Sequence, residues 1–208
     1  MLEQINRYLA YQGEKYIKPE KAGELASFMQ DLRSLGQAAR LEFQDLNQTL
    51  AQKVVPFEGE RVSQWMNQAQ VCRPHFWCYY RLPSDSVEDV ALATRLYGVK
   101  DRFGISVEVS FVERKKSEQT LVKQHKVLDL PIKAPLYYFA QEDGLSRRVA
   151  GTEENRQLLK EQVADGTVRK VLVKYDVLVT ETMTLENLIA QLKNGFELLM
   201  PYYEHTKK

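Results

Sequence analysis

The spacing of apolar residues divides the chain into a helical first third and a strand-rich remainder. Between residues 20 and 54 they recur at steps of three and four, which predicts one long amphipathic helix bounded by Pro19 and Pro56. In its middle, Gly36 predicts either a kink or the close approach of another backbone. A shorter helix is predicted over residues 60–71. The long stripe comprises Leu25, Phe28, Met29, Leu32, Leu35, Ala39, Phe43, Leu46 and Leu50.

After Pro74 the hydrophobic period changes from the helical value to two. Residues 75–82 and 104–112 alternate in this way, which predicts two strands. Residues 87–97 fit a helix or a strand, and a strand is favoured because it completes a three-stranded meander. The order of strands and helices then predicts a mostly antiparallel sheet packed by long amphipathic helices, which is the α+β class.

The last seventy residues contain four further predicted elements. Residues 136–150 form a hairpin that turns at Asp143-Gly144. A helix capped by Thr152 ends near Gly166, and a strand follows over residues 169–179. A final helix runs from Thr184 to Pro201. We expect one α+β domain over residues 1–208, with 1–71 as a helical subdomain and 72–208 as the part that contains the sheet.

Composition and charge narrow the class of protein without identifying it. The chain has 208 residues, of which 44% are hydrophobic and 27% charged, an ordinary globular balance. With 29 basic and 28 acidic side chains, the net charge of the chain indicates neither a nucleic-acid protein nor an acidic tail. Its first residues lack a secretion signal, and no apolar run approaches the ~18 residues of a membrane span. These features predict a cytoplasmic location and no membrane partner.

The stretch C-R-P-H-F-W-C places Cys72, His75 and Cys78 at a spacing that raises the question of a metal site. If residues 75–82 form a strand, His75 and Cys78 point to opposite faces of the sheet. Extended chain between the two cysteines also holds them too far apart for a disulfide. Because a structural zinc site needs a fourth ligand as well, we predict two core cysteines and no metal.

Two surfaces are candidates for binding. The first is the strand face that carries Trp77, Tyr79 and Arg81, which predicts an aromatic platform with a cation–π partner for stacked bases or sugars. The alternative is that a helix covers this face. The second is the basic loop 114–126, whose cations are suited to phosphate groups, although such loops are commonly just solvated. Its candidate contacts are Arg114, Lys115, Lys116, Lys123 and Lys126.

A catalytic alternative rests on the short pattern Glu113-Arg114-Lys115, which matches half of a metal-dependent nuclease signature. Its candidate catalytic residues are Glu108 or Glu113 with Lys115. No nucleotide-binding, zinc-protease or hydrolase motif is present, so no cofactor is indicated. The sequence therefore predicts a non-catalytic binding or regulatory protein, with a metal-dependent nucleic-acid hydrolase as the alternative. Nucleic acid, or a second copy of the chain through the 20–54 stripe, are the candidate partners.

Overall fold

The computed structural model describes residues 1–208 as five α-helices and seven strands of one antiparallel sheet, which confirms the α+β class. The helices are α1 Glu3–Tyr8, α2 Ala26–Ala51, α3 Glu118–His125, α4 Glu153–Ala164 and α5 Leu185–His205. The strands are β1 Glu58–Gly59, β2 Trp77–Arg81, β3 Ala91–Val99, β4 Arg102–Ser110, β5 Tyr137–Glu142, β6 Leu145–Ala150 and β7 Val168–Leu178. No helix combines the length and the hydrophobicity that crossing a lipid bilayer requires.

The strand order is β1-β2-β3-β4-β7-β5-β6. Strands β2, β3 and β4 form the predicted meander, which settles residues 87–97 in favour of a strand. The predicted hairpin is β5–β6, and it turns at Asp143 and Gly144 with φ of 48° and 79°. Positive φ at both central residues is what a type I′ turn requires. Strand β7 pairs with both β4 and β5 and so joins the meander to the hairpin.

Helices cover one face of this sheet. The strand register places Cys78, Thr94, Val107 and Tyr175 in one row, on the face that packs against α2 and α5. From α2, the Asn47 side chain accepts hydrogen bonds from Thr94 Oγ1 at 2.5 Å and Tyr80 Oη at 2.7 Å. In α5, Gly195 permits close approach, since an added Cβ would lie 2.7 Å from Tyr175. Residues from both ends of the chain thus share one continuous core.

The predicted helix over residues 60–71 is wrong. This segment is irregular and is held by the single bridges Lys15↔Val71 and Met66↔Cys72. Some of its backbone carbonyls accept hydrogen bonds from side chains and not from helical N–H groups. Arg40 of α2 donates to Ser63 O and to Val62 O, both at 3.2 Å. The sheet also begins earlier than predicted, because β1 pairs with β2 ahead of residue 72.

Helix α2 continues through Gly36. The Trp65 ring of the irregular segment lies against this glycine, and a Cβ there would come within 2.5 Å of the ring. The nearest neighbour of Gly36 is thus an aromatic side chain and not the other backbone that was one of the two predicted possibilities.

The final helix extends beyond its predicted end. Proline usually stops or kinks a helix, because it has no N–H to donate to the carbonyl four residues earlier and its ring clashes with that carbonyl. Here α5 continues through Pro201 to His205, and its last turns are anchored by two tyrosines. Tyr202 Oη donates to Pro131 O at 2.6 Å, and Tyr203 Oη donates to the Asp85 carboxylate. These tertiary contacts outweigh the local signal to end the helix.

The segment 114–126 is not a loop. Residues 118–125 form α3, which Ser117 and Thr120 cap reciprocally. Its buried side chains are the polar Thr120 and Gln124, so no apolar stripe marked it as a helix. Gln124 Nε2 donates to Val109 O of β4 at 3.1 Å and to Val171 O of β7 at 2.9 Å. Its side chain therefore links these two neighbouring strands.

Candidate functional site

The second face of the sheet carries a depression of about 770 Å³, which lies within the usual range of ligand pockets. We call it the open face because no α-helix lines the depression. Six strands contribute to it, and one row across five of them contains Tyr79, Ala93, Glu108, Lys174 and Tyr137. None of the residues lining the depression belongs to an α-helix. The alternative that a helix covers the face of Trp77 and Tyr79 is therefore wrong, and both residues line this depression.

A buried group of three charges forms its floor. Arg95 donates to Glu108 Oε1 through Nε at 2.9 Å and through Nη2 at 2.8 Å. Lys174 Nζ lies 3.0 Å from Glu108 Oε2. The Glu108 side chain has no exposed surface and that of Lys174 only 5%. Burial opposes ionisation of Glu108, but the charges of Arg95 and Lys174 hold its pKa well below the ordinary value. The floor thus retains one uncompensated positive charge.

Two arginines at the edge of the depression have no carboxylate partner. Arg73 lies just before β2 and Arg114 just after β4, and neither forms an ion pair. Burial and then the nearby charge of Arg114 lower the pKa of Arg73, so the two guanidinium groups repel one another. An anion placed between them would relieve this repulsion.

Glu113, the residue before Arg114, lies among a set of cations. Its carboxylate lies 2.7 Å from Lys170 Nζ and 3.0 Å from Lys116 Nζ, and it also accepts from Arg169. Burial opposes ionisation, but the hydrogen bonds from Lys170 and Lys116 lower the pKa of Glu113 to about 2. Of the whole lining, five residues are cationic and two are carboxylates, an excess of three positive charges. The net charge of the entire chain is only +1.

Three aromatic residues of the depression form cation–π contacts with its cations. Arg73 and Arg95 lie over the Trp77 ring, with their guanidinium carbons 4.7 and 5.4 Å from the ring centre. Two lysines are placed in the same manner, Lys174 over Phe139 at 4.8 Å and Lys170 over Phe111 at 5.2 Å. Such contacts stabilise a partly desolvated cation.

Trp77, Tyr79 and Arg81 do not together form the predicted stacking platform. Tyr79 is buried and its hydroxyl donates to Phe111 O at 3.0 Å. Arg81 does not line the depression, because it is bound to Glu60 at 2.6 Å and to two backbone carbonyls. The cation–π partners of Trp77 are Arg73 and Arg95.

His75 lies at the same edge as Trp77, and the centres of the two rings are 5.6 Å apart. Burial and the charge of Arg95 lower the pKa of His75 to about 4. The imidazole is therefore neutral at neutral pH and offers the depression a hydrogen-bonding group without a charge.

The basic residues of segment 114–126 divide into separate groups. Arg114 lines the depression, whereas Lys116 is paired with Glu113 and Lys123 with Asp89 at 2.6 Å. Lys115 and Lys126 do not line the depression. The structure brings only one of the five predicted contacts into the candidate site.

The proposed hydrolase residues are not arranged for metal binding. Glu108 and Glu113 both line the depression, but each carboxylate is already surrounded by cations. Lys115 lies outside it, and the chain contains no cluster of three His, Cys, Asp or Glu side chains suited to a metal ion. A metal at Glu108 would have to displace both Arg95 and Lys174.

Cys72 and Cys78 are free thiols within the core. Cys78 Sγ donates to Glu60 O at 3.1 Å. Burial raises the pKa of Cys72 to about 11 and that of Cys78 to about 12. Both thiols are therefore protonated at neutral pH and poor nucleophiles.

Sequence reasoning missed three charges of the site, namely Arg73, Arg95 and Lys174, and it considered His75 only as part of a possible metal motif. A signal was present, because Arg95, Glu108 and Lys174 are charged residues inside strands rich in apolar residues. Charges at such positions are unusual unless they are paired. Which strands are neighbours, however, depends on contacts that are distant in sequence.

The chain was compared with protein-family models and with curated protein sequences. No protein-family model matches this chain, and no curated protein sequence is significantly similar to it. The geometry and charge of the depression are therefore the basis for assigning a function.

Proposed function

We propose that this protein is a non-catalytic binding protein that holds an anionic ligand in the depression on its open sheet face. The observation that carries the proposal is the local excess of three positive charges, including the two arginines without a carboxylate partner. Clustered cations in a recess attract anions, and low-dielectric walls strengthen that attraction. Of the two surfaces that the sequence suggested, the sheet face is thus favoured over segment 114–126.

The non-catalytic character of the proposal rests on the ionisable groups of the depression. Glu108 is held ionised between two cations, and Glu113 is held by three. A general base must be free to accept a proton at a pH near its pKa. Groups that are committed to ion pairs suit the binding of a charged ligand better than the transfer of protons.

Ligand-induced stabilisation against heat tests this proposal. Sulfate, phosphate, citrate, benzoate and pyrophosphate are compared with chloride at constant ionic strength, since a ligand of the folded state raises the unfolding temperature. We expect at least one anion to stabilise the protein and to change the fluorescence of Trp77, the tryptophan that lines the depression.

Neighbouring residues supply matched variants for this test. Arg114→Gln should weaken binding of that anion about tenfold, which corresponds to the loss of one charge-assisted hydrogen bond. Lys115→Gln removes the same charge one residue away, outside the depression, and should leave the affinity within about twofold. Equal effects of the two substitutions, or no stabilisation by any anion, would contradict the proposal.

A further inference from the structure

The charges and hydrogen-bond donors of the depression indicate a class of ligand. We infer that its ligand is a compact phosphate-class polyanion with about three negative charges, such as a diphosphate or the diphosphate part of a nucleotide, and that it is recognised by charge and not by base stacking. This inference rests on the proposed function and deepens it. Three observations carry it: the number of charges, the unused donors of the arginines and the contacts of the aromatic rings.

The number of charges sets the size of the matching anion. The excess of three positive charges lies within one depression of about 770 Å³. A monovalent carboxylate would leave two of these charges unpaired, whereas a diphosphate matches them. The positive groups also come from separate segments, before β2, in β3, after β4 and in β7. A ligand that contacts all of them must carry several charged oxygens.

Unused donors are present at both the floor and the edge of the depression. Arg95 uses Nε and Nη2 for Glu108, and its Nη1 forms no other hydrogen bond. Arg73 uses only Nε, which donates to Met66 O at 3.2 Å, so both of its terminal nitrogens are free. Arg114 has no ion-pair partner. Three guanidinium groups with unused donors can engage more oxygens than one carboxylate offers, which suits a ligand with several phosphate oxygens.

Three aromatic rings of the depression are already in contact with cations. Trp77, Phe139 and Phe111 each have a positive group over the ring, and Tyr79 is buried. A base stacked on one of these three rings would have to displace its cation, whereas an added phosphate would pair with it. In segment 114–126, Lys116 and Lys123 are neutralised by carboxylates. Two of the cations that an extended nucleic-acid strand would contact there are thus already paired, and a compact ligand is favoured.

Calorimetric titration of the full chain tests the inference, without divalent metal and at constant ionic strength. The probes are inorganic phosphate, pyrophosphate, citrate, benzoate, a nucleoside diphosphate, its nucleoside and a single-stranded oligonucleotide. We expect pyrophosphate to bind at least about tenfold more tightly than phosphate, since it engages more of the cations. The nucleoside diphosphate should bind within about threefold of pyrophosphate, and the nucleoside should not bind.

The variants avoid the buried charges, whose removal endangers folding. The double variant Arg73→Gln, Arg114→Gln removes two unpaired cations and should weaken pyrophosphate binding about 100-fold, while Lys115→Gln serves as the control. A nucleoside diphosphate that binds 100-fold more tightly than pyrophosphate, or tighter binding of the oligonucleotide, would overturn recognition by charge in a compact ligand. Preferential binding of citrate or benzoate through Arg114 would overturn the inference and leave the proposed function standing. Binding of no probe would contradict both.

Discussion

Glu108 is the single side chain on which the open face depends most. It is fully buried and is the only carboxylate that contacts Arg95 and Lys174. Removing one member of a buried ion pair is far more harmful than removing an exposed one, because the remaining charge keeps its desolvation penalty without its partner. The same charges that make the depression attractive to an anion therefore constrain which residues tolerate replacement.

Replacing this carboxylate tests its structural role. Glu108→Gln leaves the buried Lys174 and the half-buried Arg95 without a counter-ion, and we expect the free energy of unfolding in urea to fall by about 3–5 kcal/mol. Glu113→Gln is the matched control, because it makes the same chemical change at an exposed site and should lower stability by about 1 kcal/mol or less. Similar losses in the two variants would show that Glu108 is not a buried charge of this kind.

His75 gives the protein a predictable dependence on pH. Its pKa in the folded state, about 4, is below the ordinary value of about 6.5, because burial and the charge of Arg95 disfavour the imidazolium. As the pH falls from 6.5 to 4, the unfolded state takes up the proton and the folded state does not. The free energy of unfolding therefore decreases over this interval, by up to about 1.4 kcal/mol per pH unit for one histidine.

The difference between wild type and a His75→Asn variant isolates this contribution. We expect urea unfolding curves to show a shallower loss of stability in the variant between pH 6.5 and 4, with parallel behaviour above pH 7. Identical pH dependence of the two proteins would mean that His75 is protonated equally in the folded and unfolded states.

Among the helices, α5 has the central structural position. It contacts β3, β4 and β7, and its buried stripe includes Leu188, Leu192, Phe196 and Leu199. Most helical stability in a protein comes from the packing of such an apolar face. The helix is accordingly a part of the core and not an appended tail.

A charge introduced on this stripe should unfold the protein or nearly so. Leu192 is fully buried, and Leu192→Asp would place an unpaired carboxylate in the core, at an expected loss of about 4 kcal/mol or more. Gln191→Asp introduces the same side chain one position away, on the exposed side of α5, and should change stability by less than about 1 kcal/mol. Thermal unfolding of both variants checks this, and an unchanged melting temperature for Leu192→Asp would show that α5 is peripheral.

Elements that carry a strong local signal were predictable from the sequence. Helix α2, the β5–β6 hairpin and strand β7 each show a clear period or a specific turn. The failures have tertiary causes: Arg40 donates hydrogen bonds to carbonyls of the segment that was expected to be helical, and Tyr202 anchors the part of α5 that follows Pro201.

The candidate site could not be predicted in full for a similar reason. Trp77, Tyr79 and Arg114 were found by residue type, but Arg95 and Lys174 meet Glu108 only through the pairing of β3, β4 and β7.

The molecule as a whole is a sheet with two unlike faces. One face is apolar and is buried under α2 and α5, while the other concentrates buried and half-buried charges in a recess. A sheet face that is merely solvated needs no buried ion pairs, since water can hydrate its side chains. Because buried ion pairs are weak evidence for stability, the charges of Arg95, Glu108 and Lys174 support our proposal of a ligand that uses them.

The most direct test of anion binding in the depression is the location of the ligand, mapped by backbone amide chemical shifts during titration with pyrophosphate. We predict that the largest shifts occur at residues 73–79, 94–97, 112–114 and 170–174, with small changes throughout α2 and α5. The same titration of the Arg73→Gln, Arg114→Gln variant should require far more pyrophosphate for equal shifts. Shifts centred on α3, or scattered evenly over the surface, would contradict an anion site on the open face of the sheet.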